Sequence, residues 1–177
     1  MNKRCSWVTQ DEIYIKYHDE EWGVPTHDDK ELFEMLVLES FQAGLSWITI
    51  LKKRENFKKA FDDFDFIKVA NYDEDKVNEL LENEGIIRHK GKINAAINNA
   101  KIFIEIQEEF ESFDKYIWKF TEENIIKSEY LTESDLSKEI SKDLKKRGMK
   151  FVGPTIIYSY LESIGIIDNH EKDCFKF

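Results

Sequence analysis

Four residues near the two ends of the chain have the chemistry of a metal shell: Cys5 and His18, with twelve residues between them, and His170 and Cys174, with three between them. Two thiolates and two imidazoles complete a tetrahedral zinc shell and leave no position for water, which makes such an ion structural and not catalytic. The spacing is not that of a zinc finger, and two free thiols with two ordinary histidines remain an open reading. Glu39 is the second chemical feature. It follows Met35 and Leu36 by one helical turn and Leu32 by two, so its carboxylate falls on an apolar face. An ionised carboxylate there requires a partner, an altered pKa or a pocket. A donor inside the core, or a roll of the helix toward solvent, would also account for it. Trp7, Tyr14, Tyr17 and Trp22 precede Glu39 and Trp47 follows it. Aromatics beside a carboxylate make a slot for a flat, electron-poor ring, with ordinary core packing as the alternative.

Helices must position these groups. Asp28 or Asp29 caps a helix running to Ala43 with Gly44 as its stop, and Ser46 caps a second that carries Trp47, Ile50, Leu51, Arg54, Phe57 and Phe61. A third is expected over 73–84, ended by Gly85. A fourth starts near Lys92 with Ile93, Ile97, Ala100 and Ile104 on one face. Ser134 opens another, with Leu136, Ile140 and Leu144 inward and Gly148 closing it. Pro154 opens the last, with Ile156, Ile157, Tyr160, Leu161 and Ile164 inward. Period-two strand signals are essentially absent, so the fold class is all-α. The connection Gly85-Ile86-Ile87-Arg88-His89-Lys90-Gly91-Lys92 reads as a hairpin between two helices. Its glycines allow close approach, and the start of the next helix presents N–H groups to an anion such as a DNA phosphate. A connector that binds nothing has the same composition.

The 177 residues, 41% hydrophobic and 14% aromatic, suit one substantial core. No apolar run approaches the ~20 residues of a membrane span, and the opening segment lacks the apolar stretch of a signal peptide, so a soluble cytoplasmic protein is expected. The net charge of −10 runs against phosphate binding, but basic residues gather at 52–54, 88–92 and 145–150. A fold that joined those runs would create a local basic face.

Several segments together resemble the bacterial 3-methyladenine DNA glycosylase I family. They are Arg4-Cys5-Ser6-Trp7-Val8, the stretch from Tyr17 and His18 to Trp22-Gly23-Val24-Pro25, Leu38-Glu39, Gln42-Ala43-Gly44-Leu45-Ser46-Trp47, Leu51 to Asn56, the hairpin 85–93, and Lys145 to Gly153. The resemblance spans nearly the whole chain. It implies a helix-hairpin-helix glycosylase fold in one two-lobed unit, about 28–110 forming the central lobe and 1–27 with 111–177 a second lobe stapled by zinc. It also implies one structural Zn2+ per chain on Cys5, His18, His170 and Cys174. By the same likeness Glu39, Tyr17 and Trp47 recognise the base, Trp7, Tyr14 and Trp22 surround it, and Leu45 wedges into the base stack. Gly85, Arg88, Lys90, Gly91 and Lys92 would contact DNA.

The implied reaction is hydrolysis of the N-glycosidic bond of 3-methyladenine in alkylated double-stranded DNA by a monomer, after base flipping, releasing free base and leaving an abasic site. Two departures stand out: Ser6 occupies a position that is often Gly, and Phe41 one that is usually less bulky, and both are expected to reshape the pocket wall. A lesion sensor without catalysis and a zinc-clipped interaction module are the competing functions. Release of free base, and salt-dependent DNA binding, respectively separate them from the enzyme.

Overall fold

In the computed structural model, which describes residues 2–127 and 130–177, short polar side chains set most of the helix starts. Asp11 accepts a backbone N–H at the head of α1 (Glu12–Glu20), and Asp28 does so for α2 (Asp29–Gln42). Ser46 precedes α3 (Trp47–Ala60) but spends its hydroxyl on Thr49 Oγ1, 2.6 Å away, leaving the backbone uncapped. Asp65 and Asp73 cap α4 (Phe66–Ala70) and α5 (Glu74–Glu82). His89 caps α6 (Lys90–Phe110) through its ring Nδ1, and Ser112 caps α7 (Phe113–Trp118). A reciprocal box of Ser134 and Ser137 opens α8 (Asp135–Lys146), and Pro154 supplies the first turn of α9 (Pro154–Ser163).

All six expected helices form, and α6 starts two residues earlier than expected because the cap is His89. Helices α1, α4 and α7 are additional. So is a parallel pair of two-residue strands, β1 (Ile126–Lys127) and β2 (Ile167–Asp168), which qualifies the expectation of no strands without changing the predominantly helical class. Among the described residues no helix is long and apolar enough to cross a membrane.

The long α6 packs against α2, α4, α5 and α7, while α9 lies between α2 and α8. Three polar ties lock these layers. Asp29 accepts from Gln107 Nε2 at 2.7 Å and from the backbone N–H groups of Phe113 and Asp114 at 2.9 and 2.8 Å, so one carboxylate joins the start of α2 to α6 and α7. The Tyr160 hydroxyl donates to the Leu32 carbonyl at 2.8 Å inside the core. Asp143 accepts from Tyr116 Oη at 2.5 Å and from Arg147 at 2.9 Å, linking α7 to α8. Gly165, at φ +80°, ends α9, and a Cβ there would stand 2.3 Å from the backbone of Val24 and Pro25. Only glycine lets the segment after Trp22 run along the end of α9, where Gly23 N–H donates to the Glu162 carbonyl and Thr26 N–H to that of Ile164.

Candidate active site and metal centre

Cys5, the last turn of α1 and the turn at 171–174 meet at one buried point. The sulfurs of Cys5 and Cys174 and a ring nitrogen of His18 lie within 4.8 Å of one another. Cys174 Sγ is 3.5 Å from His18 Nε2, and His18 Nδ1 is held 2.8 Å from Asp19 Oδ1. His170 stands alongside, its ring 5.2 Å from that of His18. Its Nδ1 lies 2.6 Å from Asp168 Oδ1, whereas its Nε2 is buried with no hydrogen-bond partner among the described residues. Histidines oriented by a carboxylate on one nitrogen and turned inward on the other have the outer hydrogen bonding of metal ligands. Backbone N–H groups of Glu171 and Lys176 donate to the Cys5 and Cys174 sulfurs at 3.3 and 3.4 Å. Burial, reinforced by the neighbouring Cys174, pushes the Cys5 thiol up to about 12, so a thiolate here calls for a cation. Burial also lowers the His18 pKa, which keeps its imidazole neutral and able to ligate. The donor set therefore fits zinc: three groups converge and the fourth, His170, brings the unsatisfied nitrogen.

All six residues expected around a base line a single cavity of about 220 Å3: Trp7, Tyr14, Tyr17, Trp22, Glu39 and Trp47. Alpha helices α1, α2 and α3 each contribute, and α9 closes the far side. Glu39 is 3% exposed, and among the described residues no side chain hydrogen-bonds to its carboxylate. Burial raises its pKa well above the usual carboxylate range, and the nearby Glu162 adds to the shift. The rings of Tyr17 and Trp47 stand 5.5 Å apart at 54°. Burial, then Glu39, raises the Tyr17 phenol, so it stays protonated. The Trp47 indole N–H is buried and has no partner among the described residues. Trp7 and Trp22 pack edge to face at 4.9 Å, and Trp22 in turn meets His170 at 4.8 Å. The cavity wall and the Cys/His cluster thus share a pair of indoles.

Between α2 and α3 the chain reverses at Gln42–Leu45. Ala43 lies at φ −49°, ψ 118° and Gly44 at φ +78°, the angles of a type II turn whose third position demands glycine. Leu45 N–H donates to the Gln42 carbonyl at 2.7 Å and Gln42 Nε2 to the Leu45 carbonyl at 2.7 Å, which leaves the Leu45 side chain 37% exposed at the tip. Lys92 braces this turn from below. Its ammonium donates to the carbonyls of Phe41 and Ala43 at 2.8 and 2.6 Å, and its side chain is buried. The phosphate contact expected of Lys92 is thereby corrected, because the ammonium is consumed internally and its backbone N–H bonds His89 Nδ1. Arg88, Lys90 and Gly91 are exposed and Gly85 half-buried in the hairpin.

The basic runs are joined only in part. Phe151, following the third run, sits with its ring 6.0 Å from that of His89, and Lys150 and Phe151 line a 430 Å3 cleft together with Gly91. Arg54 and Arg147, by contrast, are spent on ion pairs with Glu21 and Glu34 and with Glu109 and Asp143. Neither Ser6 nor Phe41 is in the cavity wall. Ser6 bonds Glu171 through both its N–H and hydroxyl, and Phe41 packs against Phe57 and Phe61 in the core. Sequence reasoning missed Gln42, Ser159 and Glu162, which also line the cavity. For Glu162 the sequence carried no signal, since a glutamate in the last turn of a helix reads as solvated.

Comparison with known proteins places this geometry. The methyladenine glycosylase family model matches residues 7–177. The DNA-3-methyladenine glycosylase 1 of Escherichia coli (strain K12) is 48% identical over 178 residues, covering 97% of this chain and 95% of that protein. A crystal structure of 3-methyladenine DNA glycosylase I superposes with a TM-score of 0.95 at 47% identity, over 98% of each chain. A variant of 3-methyladenine DNA glycosylase I in complex with 3-methyladenine gives 0.93 at 39% identity, over 97% of this chain and 96% of that one.

Proposed function

The chain belongs to the methyladenine glycosylase family, and we propose from that premise how its residues divide the work. It is a repair glycosylase that hydrolyses the N-glycosidic bond of 3-methyladenine in alkylated DNA, releasing the free base and leaving an abasic site. The observation that carries the mechanism is Glu39, a carboxylate to which no side chain among the described residues hydrogen-bonds, facing an aromatic cavity of about 220 Å3. A base inside the duplex is out of reach, so the nucleotide is extruded, more easily where damage weakens its pairing. Leu45, on its rigid turn, fills the gap in the stack. Exposed Arg88 and Lys90, with the N–H groups of Lys90 and Gly91 at the start of α6, hold the backbone in helix-hairpin-helix fashion.

In the cavity the flipped base stacks on Tyr17 and Trp47, and Trp7, Tyr14 and Trp22 exclude water around it. A 3-methylated adenine carries a formal positive charge as the nucleotide. Glu39 complements that charge and accepts from the exocyclic amine, while the Trp47 N–H meets an acceptor on the ring. The bond breaks to give a neutral base, so little acid assistance is required and the sugar gains oxocarbenium character as water attacks. Zinc, when bound by Cys5, His18, His170 and Cys174, supplies a structural crosslink and no Lewis-acid chemistry. In this reading residues 1–27 and 111–177 form the zinc-stapled lobe, and about 28–110 the lobe bearing Glu39, the wedge and the hairpin.

Glu39→Gln keeps the shape and removes the charge. Excision from methylated duplex should fall by roughly 10- to 100-fold in single turnover, the range of one charge-assisted contact. Unchanged release of 3-methyladenine would remove Glu39 from this role.

A further inference from the structure

A second carboxyl group shares the base cavity. Glu162, on the last turn of α9, lines it together with Glu39 of α2. Among the described residues the hydrogen bond to its carboxylate comes from Asn169 Nδ2, at 3.2 Å on Oε2, and Asn169 Nδ2 also donates to Tyr158 Oη at 2.7 Å. Its backbone is pinned as well, since its carbonyl receives the Gly23 N–H. The side chain is thus aimed, not free to swing away. Among the described residues no arginine or lysine lines the cavity: its other polar groups are the phenols of Tyr14 and Tyr17, the amide of Gln42, the hydroxyl of Ser159 and the indole N–H groups. A wall with two carboxyl groups and no cation of its own is electrostatically incomplete.

We propose that Glu162 is a second recognition carboxylate, which makes this cavity select the positive charge of an alkylated base more steeply than Glu39 does alone. The proposal rests on the cavity being the base site. Two acids that face one low-dielectric space repel each other, and a cation between them relieves both the repulsion and the desolvation. Burial raises the pKa of both carboxyls, and for Glu39 the nearby Glu162 adds to the shift. A neutral purine of the same shape leaves the repulsion and the desolvation unrelieved and gains only stacking. Because the charge leaves the base as the glycosidic bond breaks, Glu162 acts in selection of the flipped base more than in the chemical step.

The test compares two duplexes that the enzyme cannot cleave. One carries 3-methyladenine stabilised by a 2′-fluoro sugar and keeps the positive charge. The other carries 3-deaza-3-methyladenine, which is isosteric and neutral. Dissociation constants are measured for wild type, Glu162→Gln and Glu162→Asp, alongside base release from methylated DNA. Glu162→Gln retains an acceptor for Asn169. It should cut the cationic-to-neutral preference roughly tenfold while binding of the neutral duplex stays within about twofold, and Glu162→Asp should restore most of the preference. An unchanged preference in Glu162→Gln, or an equal loss on both duplexes, overturns the proposal. A wild type that releases no base and prefers neither lesion overturns the base-site reading beneath it.

Discussion

Glu39 and Glu162 reach one cavity from two different helices, and the cost of holding them there has a pH signature. Burial raises Glu162 to about 7 from an ordinary 4.5, against the opposing hydrogen bond from Asn169. Below about pH 4.5 the folded and unfolded chains both hold this proton. As pH rises through that value the unfolded chain releases it first, so this group's contribution to stability declines until the folded chain also ionises near pH 7. The shift corresponds to roughly 3 kcal/mol at most. Thermal melts should therefore show Glu162→Gln gaining several degrees on wild type between pH 5 and pH 8, and parallel curves across that range would contradict it. At this scale the sequence was most informative where a residue type was costly in its setting. Glu39 among Leu32, Met35 and Leu36 announced itself, and six cavity residues were named before any geometry. Glu162 did not, because a glutamate near the end of a helix looks like a solvated one, and only the packing of α9 on α2 turns it inward.

Caps and periodicity made six helices legible, down to Asp28 and Ser134 at the starts of two of them. The pieces that escaped owe their existence to neighbours. Helix α7 is six residues long and its first N–H groups are received by Asp29, from a helix more than eighty residues earlier. The strands β1 and β2 are two residues each and exist only as a pair. Lys92 shows the same limit, since a lysine in a basic run reads as solvent-exposed until the turn above it is seen to need a donor. That donor has a testable consequence. Lys92→Met leaves the Phe41 and Ala43 carbonyls without their ammonium and should destabilise the fold by about 1–3 kcal/mol. It should also slow excision by loosening Leu45 and Trp47. The slope of log affinity against log salt should stay at its wild-type value, whereas a phosphate contact would reduce it by about one. Losing that unit of slope would restore Lys92 to the DNA surface.

The two ends of the molecule are tied by more than the proposed zinc shell. Phe175 N–H donates to the Lys3 carbonyl at 2.8 Å, Ser6 binds Glu171, and Lys3 pairs with Asp173. Purified protein should contain one zinc per chain by elemental analysis. Cys174→Ala should lose it, melt several degrees lower and excise more slowly, because Trp22 lies against both His170 and the cavity wall. Full zinc content with unchanged melting in that variant would exclude the proposed shell. The same architecture sets a timetable. During synthesis Trp7, Tyr14, Tyr17 and Trp22 leave the ribosome among the first residues, yet Ser159, Glu162, His170 and Cys174, which complete their surroundings, emerge last. At about 5–20 residues per second that interval is roughly 8–30 s. Throughout it the aromatic N-terminal segment is an unsheltered apolar surface on a nascent chain, so the residues that later wall the cavity are first a folding liability.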